Sequence, residues 1–166
     1  DTSDAPGAIG PYSQGWISNG LVFVSGQLPV APETGAMPDS IVEQAEQSCK
    51  NVAAILSAAG SDATRVLKTT CFLTDMKNFV AFNNVYAKYF TQKPARSCVA
   101  VKELPKGALC EIEAIAISNW GVAYFCVYVI AAYYSETIAL REYGKPAVQN
   151  HLNGRFFILS TADQFI

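Results

Sequence analysis

Ala108-Leu109-Cys110-Glu111-Ile112-Glu113-Ala114-Ile115-Ala116-Ile117-Ser118 is the stretch that decides the fold. Its residues alternate, and successive side chains of a strand point to opposite faces. Cys110, Ile112, Ala114 and Ala116 therefore share one apolar face, suited to meeting helices. Glu111 and Glu113 share the other with Leu109, Ile115 and Ile117. A strand with one apolar and one mixed face belongs to a sheet covered by helices on one side.

Upstream, Leu104-Pro105-Lys106-Gly107 reads as a turn, and Ser97 to Val101 as a strand. Pro94 ends a helix predicted from about Lys77 to Phe90, with Phe79, Phe82, Val85, Tyr86 and Phe90 on one stripe. Val66 to Thr74 reads as a strand. Before it, Ser40-Ile41-Val42-Glu43 is a capping box that opens a helix running to about Ala59, with Gly60 as its stop. Val42, Ala45, Cys49, Val52, Ile55, Leu56 and Ala59 form its apolar stripe. Pro29 to Pro38 is a loop. Asn19-Gly20 between Ser13–Ser18 and Leu21–Ser25 is a strong hairpin signal. The order is ββαβαββ, an α+β domain with two helices on one face of a largely antiparallel sheet.

Several side chains offer chemistry, each beside a plainer reading. Arg96, at the start of a strand, presents a rigid fork matched to a carboxylate, or it is an ordinary surface or salt-bridged arginine. Glu111 and Glu113 either face water or, set among aliphatics, lie on a partly covered surface where a carboxylate with a shifted pKa acts on water. Tyr12, after Gly10-Pro11, orients a ligand or simply packs. Cys98 shares a strand face with Arg96. A catalytic thiol needs a base, and the one histidine, His151, lies outside the coherent domain, so Cys98 reads as a pocket-lining thiol. Asn83 beside Asn84 on the second helix is by itself uninformative.

Hydrophobic residues make up 51% of the 166 and charged residues 16%, a globular composition. A net charge of −2 argues against a nucleic-acid binder. A single histidine excludes a His-rich metal site. Five cysteines without a CxxC pair favour a reducing compartment. Phosphate loop, zinc spacing and dinucleotide fingerprint are all missing from the pattern, and Gly7-Ala8-Ile9-Gly10 precedes no strand-to-helix turn. Without an initiating Met or a signal-peptide pattern, the sequence reads as a processed form or a fragment.

Ala5-Pro6-Gly7-Ala8-Ile9-Gly10-Pro11-Tyr12-Ser13-Gln14 resembles the opening motif of the RidA/YjgF family of reactive-intermediate deaminases. Val24 to Pro29, Gln44 to Asn51, Lys68 to Asp75, and the region from Pro94-Ala95-Arg96-Ser97-Cys98 to Glu111-Ile112-Glu113-Ala114 look like it as well. The resemblance is nearly collinear from Asp4 to Ile117. It implies a chorismate-mutase-like fold and a homotrimer with sites in clefts between subunits. The implied activity is hydrolysis of 2-imino acids, such as 2-iminobutanoate and 2-iminopropanoate, and their enamines, to 2-keto acids and ammonia, with no metal or organic cofactor. It also implies a cytoplasmic or mitochondrial setting. Position by position, the resemblance makes Arg96 the carboxylate clamp, Glu111 the water-holding glutamate and Tyr12 the aromatic at the substrate end. Cys98, Asn83, Ser25 and Gly26 become pocket positions. Alternatives are a ribonuclease or translation inhibitor, or a non-catalytic module binding small carboxylates or partner proteins.

The domain is expected to span residues 1–118, with 119–166 a tail unlike the family. Trp120 to Tyr134 is an apolar run of fifteen residues, short for a membrane span of about 20. The tail reads as an extension packed on the trimer, a fused fragment, or translated non-coding sequence; the abrupt compositional change favours the last two.

Overall fold

The structure is a computed structural model and describes residues 1–119. From Trp120 onward the expected tail, with Trp120–Tyr134, Cys126 and His151, lies outside the described residues. Strand β1 (Gly15–Ser18) and β2 (Leu21–Gln27) form the expected hairpin. Asn19 and Gly20 take φ of 49° and 77°, the left-handed pair that a two-residue turn needs to follow the twist of its strands. Helix α1 (Ile41–Ala58), strand β3 (Val66–Leu73), helix α2 (Phe79–Tyr89), strand β4 (Ala95–Ala100) and strand β5 (Cys110–Ile117) follow. The sheet order is β1-β2-β5-β3-β4, antiparallel except for the β3–β4 pair. That parallel pair is joined across α2, the usual way to return a strand in the same direction.

Ser40 caps α1 by accepting from the Glu43 amide at 3.3 Å. The capping box differs in one detail: Glu43 Oε2 accepts from the Ser40 hydroxyl at 2.6 Å. The buried stripe of α1 starts one residue earlier than the sequence reading. Ile41 packs on the core, while Val42 is 46% exposed. Ile41 lies four residues before Ala45 on the same helical row; Val42 is turned about a quarter of the way around. A short 3₁₀ turn, Met76–Asn78, precedes α2, so the regular helix begins at Phe79.

Both helices pack on the face formed by Val22, Val24, Cys71, Cys110, Ile112 and Ala114, all buried. Buried amides tie loops to this layer. Asn51 donates to the carbonyls of Leu28 and Val30, and Gln44 accepts from the Leu109 amide at 2.7 Å, fixing the chain where it enters β5. The opposite face has no covering layer among the described residues. Trp16, Phe23, Val99 and Ile117 are exposed on it, beside Lys68, Thr70, Glu111 and Glu113.

Candidate functional site

Arg96 stands on edge strand β4 in register with Thr69, which in turn pairs with Ala114. Thr69 and Ala114 are buried, so Arg96 is on the helix-covered face, where α2 overhangs the sheet edge. Its guanidinium carbon lies 4.6 Å from the centroid of the Tyr86 ring and 5.8 Å from that of Phe79. Nη1 donates to Asn83 Oδ1 at 2.9 Å. Phe79, Asn83 and Tyr86 are spaced i, i+4, i+7 and form one row of α2. All three contacts are to uncharged groups, and among the described residues no carboxylate pairs with Arg96. A half-buried cation without a counterion, its fork largely unused, is a site for a carboxylate or phosphate.

Cys98, two residues along the same face, packs against the core. Burial pushes its thiol pKa up, partly offset by Arg96, so it holds its proton. The other three described cysteines are buried and free. Burial holds the Cys71 and Cys110 thiols up to about 12.

Glu111 lies elsewhere. It registers with Phe72, which registers with Val99, placing it on the open face of the sheet. Next to it β2 carries a bulge: Ser25 and Gly26 lie between the Val24–Ala114 and Gln27–Ile112 pairs, against the single residue Glu113. A side chain on Gly26 would overlap Glu111 Oε1 and stand 2.8 Å from Cδ, so the carboxylate rests on bare backbone. Ser25 donates its hydroxyl to the Ser13 carbonyl at 2.6 Å, tying the bulge to the segment that carries Tyr12. Tyr12 and Gly26 line one cleft of about 200 Å³, together with Gln27 and Lys106. The Tyr12 hydroxyl accepts from the Ile9 amide at 3.2 Å. A larger cavity, about 620 Å³, lies between the N-terminal segment and the end of α1; of the candidate residues only Tyr12 reaches it.

The candidates thus fall into two groups. Asn83, Arg96 and Cys98 occupy one side of the sheet; Ser25, Gly26 and Glu111 meet on the other; Tyr12, in the N-terminal segment, shares a cleft with Gly26 and also lines the cavity at the end of α1. Strand β3 lies between β4 and β5, so Arg96 and Glu111 are also about 10 Å apart across the strands and, three residues out of register through β3, about 10 Å apart along them.

Burial, with the Glu113 carboxylate adding to it, holds the Glu111 carboxyl above the usual carboxylate range. The folded state then keeps this proton more tightly than the unfolded chain does. The stability that goes with it is present below the unfolded pKa and is lost as pH rises through the folded one. Glu111→Gln is therefore expected to melt at a higher temperature than wild type near neutral pH, with the gap closing toward about pH 4. Thermal melts at matched pH values read this directly. A gap that stays constant on acidification contradicts it.

The match of known families to this chain follows the same span. The family model described as endoribonuclease L-PSP matches residues 2–118. The chain belongs to this family, the RidA/YjgF family. It is 54% identical over 116 residues to the RutC family protein y4sK of Sinorhizobium fredii, covering 69% of this chain and 92% of that one. It is 48% identical over 120 residues to the 2-iminobutanoate/2-iminopropanoate deaminase of Salmonella typhimurium, covering 70% and 94%. The crystal structure of E. coli TdcF with bound serine matches with a TM-score of 0.69 at 46% identity, covering 72% and 97%. The α+β fold with two helices on one face of a mostly antiparallel five-stranded sheet is that of these relatives.

Three residues around Arg96 escaped the sequence reading: Phe79, Tyr86 and Thr69. The two aromatics look like core from their helical period. Their spacing from Asn83 was the available signal.

Proposed function

We propose that this protein hydrolyses reactive 2-imino acids, and the enamines that give rise to them, to 2-keto acids and ammonia, at sites completed between copies of the chain. The observation that carries this reading is Arg96, a guanidinium cradled by neutral groups with no carboxylate partner among the described residues. Its open fork fits the one group that substrate and product share, the α-carboxylate. The serine bound in E. coli TdcF carries the same group. Relatives at 47–48% identity named as deaminases favour the same chemistry.

Glu111 supplies the second function. As water attacks the electrophilic imine carbon, the carboxylate takes one of its protons. It gives that proton to the imine nitrogen, leaving a neutral carbinolamine, and then takes the proton of the carbinolamine hydroxyl and delivers it to the same nitrogen, so that the carbonyl forms as the C–N bond breaks and ammonia leaves. A carboxyl held above its usual pKa by burial suits both halves of this exchange. The imine is already reactive, so orientation by Arg96 and a positioned water supply most of the help needed.

Arg96 and Glu111 lie on opposite faces of one sheet, so a complete site takes one half from each of two neighbouring copies. The uncovered sheet face, with Trp16 at 70% and Phe23 at 42% exposure, is suited to such an assembly. A homotrimer closes this arrangement as a ring of three equivalent sites.

Subunit mixing tests it. Arg96→Ala and Glu111→Gln chains are each expected to be inactive alone. Unfolded together and refolded at equal amounts, they are expected to regain about a quarter of wild-type turnover, because random placement around a ring restores both halves at about one interface in four. No recovery from a mixture that does form hetero-oligomers defeats the shared-site reading.

A further inference from the structure

We propose that Tyr86, to which nothing in the family comparison gives a role, is a positioning residue for the Arg96 carboxylate clamp, with Thr69 as its anchor. The proposal rests on the reading of Arg96 as that clamp. The Tyr86 ring lies under the guanidinium at 4.6 Å, closer than Phe79 at 5.8 Å. This is the distance at which a cation is drawn to the negative face of an aromatic ring. The ring itself is tightly held. Tyr86 is buried, its hydroxyl shares a 2.7 Å hydrogen bond with Thr69 Oγ1, and it stacks on Phe90 with ring centroids 4.4 Å apart. Thr69 is the direct register partner of Arg96 across the β3–β4 pair. The backbone that carries the arginine and the hydroxyl that anchors its platform are therefore fixed to one another by the sheet.

The consequence is a preset guanidinium plane. One face rests on the Tyr86 ring and Nη1 is taken by Asn83. The remaining N–H groups stay free for a carboxylate without the cost of ordering a long side chain on binding. Asn83 fixes one edge and Tyr86 the plane. Neither carries charge, so neither competes with the incoming anion. A carboxylate in either place would tie up the fork.

Because the ring acts through Arg96, its loss should weaken carboxylate binding more than it slows the chemical step. In the full chain, Tyr86→Leu is expected to weaken binding of 2-oxobutanoate, used as a stable carboxylate probe, by about tenfold in calorimetry. Turnover at saturating imine should remain within about twofold to threefold of wild type. Tyr86→Phe keeps the ring and is expected to restore probe affinity to within about twofold, although it loses the Thr69 bond and melts lower. Equal loss of affinity in both variants, or unchanged affinity in Tyr86→Leu, overturns the proposal. Should Tyr86→Leu fail to fold, arginine side-chain NMR of the wild-type protein decides. The Arg96 Nε–H resonance, assigned by its loss in Arg96→Ala, is expected to be shifted upfield by the ring and to move on adding 2-oxobutanoate; a random-coil position overturns the proposal. Arg96→Ala separates the two levels. Normal probe affinity in that variant removes the clamp itself, whereas lost affinity there with unchanged affinity in Tyr86→Leu removes only the role of Tyr86.

Discussion

Arg96→Ala is expected to abolish keto-acid formation in an assay coupled to a threonine dehydratase, with a drop of roughly 10²-fold or more in kcat/KM. Truncating one partner of a desolvated, charge-assisted pair costs about 2–5 kcal/mol, and the groups that touch Arg96, namely Asn83, Phe79 and Tyr86, are all uncharged and cannot take its place. The fold should survive. Arg96 is half-buried on an edge strand, and its removal leaves neutral groups behind, namely the Asn83 amide and two aromatic faces. Melting within a few degrees of wild type is the expected control. Arg96→Lys should recover only part of the activity, since an ammonium is a point charge that neither lies flat on Tyr86 nor grips a carboxylate with two parallel bonds. Full hydrolysis by Arg96→Ala would sink the clamp assignment.

What the sequence revealed here, and what it withheld, divides along local and non-local lines. The alternation of Ala108–Ser118 correctly separated Cys110, Ile112 and Ala114 from Glu111 and Glu113, because strand parity is local. Asn19-Gly20 and Ser40–Glu43 were legible for the same reason: a turn and a cap are written within four residues. The relation between Arg96 and Glu111 was not. Each residue's face within its own strand can be read from its neighbours, but whether two strands present those faces to the same side depends on pairing. Only the Thr69–Arg96 and Phe72–Glu111 registers through β3 put them on opposite sides. The cradle of Arg96 was hidden for a different reason. Hydrophobic periodicity sees Phe79 and Tyr86 as apolar area and cannot tell a ring that meets another ring from a ring that meets a cation. Asn83, uninformative alone, gained its meaning from a partner thirteen positions away.

Gly26→Ala should separate catalysis from folding more cleanly than any change to the carboxylate itself. Gly26 takes an ordinary backbone conformation, so alanine brings no conformational strain there. Its one effect is steric. The added methyl would fall on Glu111 Oε1, the free end of a flexible side chain, which can swing away at little cost to stability. The carboxylate would then leave its rest on the β2 bulge by more than an ångström, and a misplacement of that size costs a catalytic group about 10²-fold. The expected result is a fall in kcat of that order, with melting close to wild type and unchanged affinity for 2-oxobutanoate, because Arg96 belongs to the other half of the site. Moving Glu111 out toward water should also bring its pKa back toward the ordinary carboxylate range, since burial is the main cause of its rise. The acid limb of the pH–rate profile should shift down with it. Wild-type turnover in Gly26→Ala would mean that the niche on β2 has no part in holding the working carboxylate. A loss of turnover that merely tracks a loss of melting temperature would make the bulge structural rather than functional.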